Sequence, residues 1–155
     1  MSPALPSMRD GHPFKRSLTI CGGMPVREEV LNWLEEARAD LRHAKVSLDV
    51  GDYNWACFAA QQAAEKGLRA AALHVAGLLP RGHDLTKLYW RLRRHVDLRL
   101  DETDLSKLSA YYTQARCPNA GIERPSLSIT AKHGEEAVSI AEAVLNEVAR
   151  VIRDP

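Results

Sequence analysis

Gly51-Asp52-Tyr53-Asn54-Trp55-Ala56-Cys57-Phe58-Ala59-Ala60-Gln61-Gln62-Ala63-Ala64-Glu65-Lys66-Gly67-Leu68-Arg69-Ala70 decides the fold of this chain. Small and apolar residues fall on nearly every side of the helix this stretch would form, and a helix of that kind is buried on all sides. Yet it carries Gln61, Gln62, Glu65, Lys66 and Arg69. Amides and charges held away from water cost several kcal/mol unless they are paired. The stretch therefore reads as the central rod of a helical bundle, with its polar groups matched by protein partners or by a bound anion.

Amphipathic helices flank it on both sides. Val30, Leu34, Ala37, Leu41, Ala44 and Leu48 repeat at 4-3-4-3-4 spacing and form one apolar stripe. Gly51 is placed to stop that helix and Asp52 to cap the next, so a short turn makes the pair an antiparallel hairpin. The second helix closes at Gly77 and Pro80. Asp84 can cap a third helix with Leu85, Leu88, Leu92 and Val96 facing inward. Asp101 or Thr103 can cap a fourth, with Leu105, Leu108, Tyr111, Tyr112 and Ala115 on its apolar side and Pro118 at its end. Residues 117–129 read as a loop. Thr130 opens a last helix with Ala137, Ile140, Ala141, Val144, Val148 and Val151 inward. No segment alternates as a strand of a sheet would. The fold class is all-α, a four- to five-helix up-and-down bundle over residues 27–153. Residues 1–26 form an irregular N-terminal arm with one short strand at Ser17-Leu18-Thr19-Ile20.

Bulk properties exclude several classes. The net charge is +1, so overall charge gives no argument for a nucleic-acid polycation. No apolar run approaches the roughly 20 residues of a membrane span, and the arm does not read as a signal peptide. Cys21, Cys57 and Cys117 are odd in number, far apart and without a CxxC pair, which fits reduced thiols in a cytoplasmic protein. The six histidines show no HExxH and no i,i+4 pair, so no metal site is expected. GxxxxGK[ST], GxGxxG and GxSxG are all missing, and no cofactor is expected.

Three clusters stand out as candidate sites. At about 100° per residue, Gln62, Glu65 and Arg69 fall within an arc of roughly 60°, with Lys66 beside it. They form either a satisfied buried network or a pocket for a nucleotide or RNA phosphate. His83-Asp84 places an imidazole and a carboxylate at a helix start, suited to an anionic ligand or to proton transfer. Asp84 as a simple cap is the alternative. Arg116 follows Tyr111-Tyr112 at a helix end, where a guanidinium beside aromatics can clamp a phosphate and stack a base.

Taken together, Ala37-Arg38-Ala39-Asp40-Leu41, Gly51-Asp52-Tyr53, Ala56-x-Phe58, Gln61-Gln62-Ala63-Ala64-Glu65-Lys66-x-Leu68, His83-Asp84-Leu85-x-x-Leu88 and Tyr111-x4-Arg116-x-Pro118 resemble a HEPN domain. The likeness spans residues 27–152, and the Gln-Gln-x-x-Glu-Lys run is its most specific part. It implies a helical bundle that forms a homodimer. It also implies either a nucleotide- or partner-binding module or a metal-independent ribonuclease toxin. Small prokaryotic members are often encoded beside a minimal nucleotidyltransferase as a toxin–antitoxin-like pair. Catalytic members use an Arg-x4-6-His motif in the later half of the domain. Here neither Arg116 nor Arg124 has a His at that spacing. Arg38–His43 and Arg69–His74 match it, but both lie inside helices, where i and i+5 point about 140° apart. The binding-module reading therefore leads, with Gln62, Glu65, Lys66, Arg69, His83, Asp84, Tyr112 and Arg116 as its ligand residues. His83 and Arg116 are the best pair available to a ribonuclease. A purely structural helical oligomer is the remaining alternative.

Overall fold

The computed structural model describes residues 26–153, so the expected arm and its strand lie outside the described residues, apart from Val26. Six helices follow in order: α1 (Glu28–Val50), α2 (Tyr53–Ala76), α3 (Leu85–Leu92), α4 (Glu102–Gln114), α5 (Pro125–Ser128) and α6 (Ala131–Arg153). Among the described residues there is no strand. None of the helices is long and apolar enough to cross a membrane.

Helix boundaries follow the local chemistry. Gly51 takes the left-handed conformation, φ 86°, and its N–H donates to Leu48 O, while Asp52 N–H donates to Ser47 O at 2.9 Å. Only glycine enters that region without steric cost. Asp52 does stand at the start of α2, but its side chain makes no cap hydrogen bond. Gly77, φ 70°, closes α2, and Arg27 Nη2 donates to Leu73 O at 2.6 Å, satisfying a carbonyl of the last turn. Asp84 and Asp101 are true caps: Asp84 accepts from Thr86 N and Lys87 N, and Asp101 from Asp104 N. At α6, Thr130 N–H is accepted by His133 Nδ1 at 3.0 Å, so a histidine takes the back-reaching place of a capping-box Glu.

Contact pairs set the helix directions. Arg27 meets Leu73 and Asp40 meets Lys66, so α1 and α2 run antiparallel. Asn54 meets Ala115, and Cys57 bonds Tyr111, so α4 is antiparallel to α2. Gly134 lies against Ala56, and Gly67 against Leu145 and Val148, so α6 runs parallel to α2. The four longest helices thus form an up-and-down bundle, with α3 and the single-turn α5 inside its connections. The α5 turn departs from the expected loop: Pro125 presets φ at its first position and buries its ring, giving one helical turn to that stretch. Helix α3 is also shorter than its apolar spacing predicts. Leu92 O accepts from both His95 and Val96, which ends the helix, and Val96 packs on the core from the following turn.

Helix α2 is the spine of the bundle and packs against all five other helices. Fourteen of its residues are buried, among them Gln61 and Glu65. Gly67 makes this possible, because a Cβ there would stand 2.5 Å from Leu145 Cδ2 on α6. Burial pushes the Cys57 thiol up to about 12, so it packs as a small neutral hydrophobe. We expect Gly67→Val to cost roughly 1–3 kcal/mol through overpacking. The measurement is a lower urea midpoint at unchanged m-value, and an unshifted midpoint would mean that α2 and α6 do not approach so closely.

Candidate functional site

The polar groups of α2 converge on the loop that leads into α3. Gln61 is fully buried; its Nε2 donates to His83 O at 3.1 Å and its Oε1 accepts from Gln62 Nε2 at 2.8 Å. Arg69 Nη2 donates to Gly82 O at 2.6 Å. Gly82 has φ +93°, a conformation that side chains avoid, and it turns the chain so that His83 doubles back toward α2. Two side chains of α2 thereby fix consecutive carbonyls of this loop.

Glu65 is the hub. It is only 3% exposed, so protein groups rather than water must satisfy it. Its Oε2 accepts from Gln62 Nε2 at 3.0 Å, and its Oε1 accepts from Arg69 Nη2 at 3.2 Å and meets His83 Nδ1 at 2.6 Å. An ionised carboxylate only accepts hydrogen bonds, so His83 Nδ1 must carry the hydrogen. That leaves Nε2 as the free nitrogen of a ring whose side chain is half exposed.

Beyond the imidazole lies a stack. The His83 ring lies face to face on Tyr112, with centroids 3.9 Å apart and planes 11° off parallel. Arg116 Cζ is 4.6 Å from the Tyr112 centroid and 4.9 Å from that of Phe58. Since His83 covers one face of Tyr112, the guanidinium occupies the other side. Arg116 is steadied by its Nε, which donates to Tyr112 O at 2.6 Å. Trp55 meets Phe58 edge-on and extends the aromatic cluster outward. A cavity of about 350 Å³ opens beside this stack, walled by His83, Asp84, Ser109 and Tyr112.

Of the sequence-predicted residues, Gln62, Glu65, Arg69, His83, Tyr112 and Arg116 form one connected chain of contacts. Asp84 lines the cavity, but its carboxylate is engaged as the α3 cap. Lys66 points elsewhere: it pairs with Asp40 of α1 at 2.6 Å and ties the hairpin together. Tyr112 acts as a spacer between two cationic-capable groups and has no open face for a base. Sequence reasoning missed three contributors. Gln61 stood in the quoted polar run and its neighbour's role masked it. Phe58 carries the far side of Arg116. Ser109 accepts from Leu85 N at 3.0 Å and helps hold the α3 start. Among the described residues, no three His, Cys, Asp or Glu side chains converge as metal ligands. Cys57 and Cys117 are free thiols, and Cys21 lies outside the described residues.

A bundle whose buried central helix uses Gln61, Gln62, Glu65 and Arg69 to hold a histidine against an aromatic–arginine cluster defines a small all-α domain of one class. The chain belongs to the HEPN family: residues 30–151 match the HEPN domain. It is similar to the protein TT1696 from Thermus thermophilus, at 38% identity and a TM-score of 0.75 over 81% of this chain and 99% of that one. It is also similar to ST0689, described as an archaeal HEPN homologue, at 28% identity and a TM-score of 0.65 over 79% of this chain and 97% of that one. No curated protein matches the chain.

The Asp84 carboxyl is held below its ordinary value, chiefly by the Thr86 hydroxyl and also by the Thr86 and Lys87 backbone N–H groups and the Lys87 charge. A lowered folded-state value means that its stabilisation is complete above the ordinary value and is lost as pH falls through the lowered one. Asp84→Ala should therefore cost about 1 kcal/mol at neutral pH. The difference from wild type in urea midpoint should close in acid, whereas a difference that ignores pH would mean the carboxylate is not the capping group.

Proposed function

We propose that this chain is a nucleotide- or partner-binding HEPN module that acts as a homodimer and seats a phosphate at the edge of the Tyr112 ring that His83 and Arg116 flank. The observation that carries this reading is the His83–Tyr112–Arg116 stack anchored to buried Glu65. The exposed Arg116 guanidinium lies on one side of Tyr112, and on the other side His83 opens onto a cavity. That is an arrangement for an anion, since Arg offers a planar fork to phosphate. Gln62, Glu65 and Arg69 serve it from below by fixing the loop, and Asp84 by starting α3 beside it. Lys66 serves at one remove, by holding α1 to α2.

Two features support a protein partner. Val46, Val50 and Trp55 are large apolar side chains left exposed at the hairpin end of α1 and α2, a surface that a second chain would cover. The likeness to small prokaryotic HEPN proteins supports a minimal nucleotidyltransferase as a companion in a toxin–antitoxin-like pair, within the cytoplasm.

A metal-independent ribonuclease is the second reading, favoured by the 2.6 Å Glu65–His83 contact. A carboxylate that fixes the Nδ1–H tautomer leaves Nε2 to take a proton from a 2′-hydroxyl, with Arg116 stabilising charge on the phosphorus oxygens.

Calorimetry with ATP, GTP and a short RNA tests the binding reading. Wild type should bind at least one of them, and Arg116→Ala should weaken binding by about tenfold or more, as loss of a charge-assisted contact does. No binding to any of the three would overturn it and leave the structural oligomer. Incubating RNA with the protein in EDTA tests the second reading: cleavage lost in His83→Ala supports it, and intact RNA with the wild type rules it out.

A further inference from the structure

The chain is nearly neutral overall, but its charge is not evenly spread. Residues 81–99 carry six Lys or Arg (Arg81, Lys87, Arg91, Arg93, Arg94, Arg99) against two Asp. One of those, Asp84, is committed to capping α3. Helix α3 buries Leu85, Leu88, Tyr89 and Leu92 on one side. On the other, Lys87, Trp90 and Arg91 fall within an arc of about 100°, and all three are exposed. Trp90 is one of the most exposed large apolar side chains of the protein, with the Arg93 guanidinium 5.9 Å from its ring.

A second cavity, of about 330 Å³, lies at the root of this face. Arg81, Lys87 and Arg91 line it, and it shares His83 and Asp84 with the cavity beside the stack. Among the described residues the Arg81 and Arg91 side chains have neither a hydrogen bond nor an ion pair, and the Lys87 ammonium has only the through-space influence of Asp84. Three cations around one carboxylate that is already engaged as a helix cap leave an excess of positive charge, the electrostatic footprint of a polyanion site, and an exposed aromatic beside them adds a base platform.

We propose that the α3 face formed by Arg81, Lys87, Trp90 and Arg91 is a track for the backbone of single-stranded RNA, leading its next phosphate to His83. This inference rests on the phosphate-binding reading of the His83–Arg116 site and names its ligand as a chain of nucleotides rather than a single one. A mononucleotide would fill one cavity. Two cavities that share the His83–Asp84 wall suit consecutive phosphates of a flexible strand, and Trp90 suits an unstacked base beyond them. A double helix would hide its bases from Trp90.

Fluorescence anisotropy with a labelled oligouridine, titrated at salt concentrations between about 50 and 200 mM, tests the track on the full-length protein. AMP and ATP binding are measured in parallel by calorimetry. Arg81→Ala, Lys87→Ala and Arg91→Ala combined replace only exposed side chains, and circular dichroism checks that the variant is folded. The triple variant should lose about tenfold or more in RNA affinity. The log–log salt slope should become shallower by about 2, because each phosphate contact on a single strand contributes about 0.7. Mononucleotide binding should stay as in wild type. Trp90→Ala should lower RNA affinity by at least about fivefold with an unchanged salt slope, as loss of a stacking contact does.

RNA binding and salt slope unaltered in the triple variant, with mononucleotide binding retained, would overturn the track alone. A polyglutamate peptide that competes as well as RNA of equal charge would also overturn it, and would assign the face to an acidic protein. If wild type binds neither RNA nor mononucleotide, the track and the phosphate site both fall.

Discussion

Everything at this site depends on one buried carboxylate. Glu65 sits on the spine of the bundle at 3% exposure, where a charge without partners would be costly. It is satisfied by Gln62 and Arg69 from its own helix and by His83 from the loop before α3. A core position thus dictates the pose of a half-exposed imidazole. Removing a partner from such a carboxylate costs more than the net value of the contact, because the buried charge loses part of its compensation. The carboxylate is therefore both a packing constraint and the element that points His83 Nε2 outward.

That constraint propagates through contacts between sequence-distant segments. His83 sets the position of the Tyr112 ring from α4, and Tyr112 in turn carries Arg116, whose far side rests on Phe58 of α2. The path begins and ends on α2. This closure explains why the helix is so rich in Ala and has Gly67 at the α6 crossing. Small residues let neighbours approach closely enough for one helix to hold both the α2–α3 loop and the end of α4. The basic face of α3 starts at the same loop, so Arg69 and Gln61, by fixing the carbonyls of Gly82 and His83, also set where that face lies.

Much of the fold was legible in the sequence because burial leaves a period. The stripes of α1 and α6, the Gly51 and Gly77 stops and the Asp84 and Asp101 caps each follow from spacing or from a residue with one conformational use. What periodicity cannot convey is who meets whom. The polar arc of Gln62, Glu65 and Arg69 announced that partners must exist, but not that they are His83 and the loop carbonyls. Lys66, just beside that arc, is taken by Asp40 because α1 packs on that side. Asp52 looked like a cap, but Gly51 already turns the chain and the Asp52 side chain makes no cap bond. The α3 cations were visible as letters, yet only the burial of Leu85, Leu88 and Leu92 shows that Lys87, Trp90 and Arg91 share one open face.

The most direct test of the central claim is the tautomer of His83, read from its imidazole nitrogen chemical shifts by NMR at a pH where the ring is neutral. If Glu65 holds the ring, the hydrogen resides on Nδ1 and Nε2 shows the shift of an unprotonated nitrogen. Glu65→Gln should then release that preference. A wild-type ring with its hydrogen on Nε2, or averaged between the two nitrogens and unaffected by Glu65→Gln, would contradict the account.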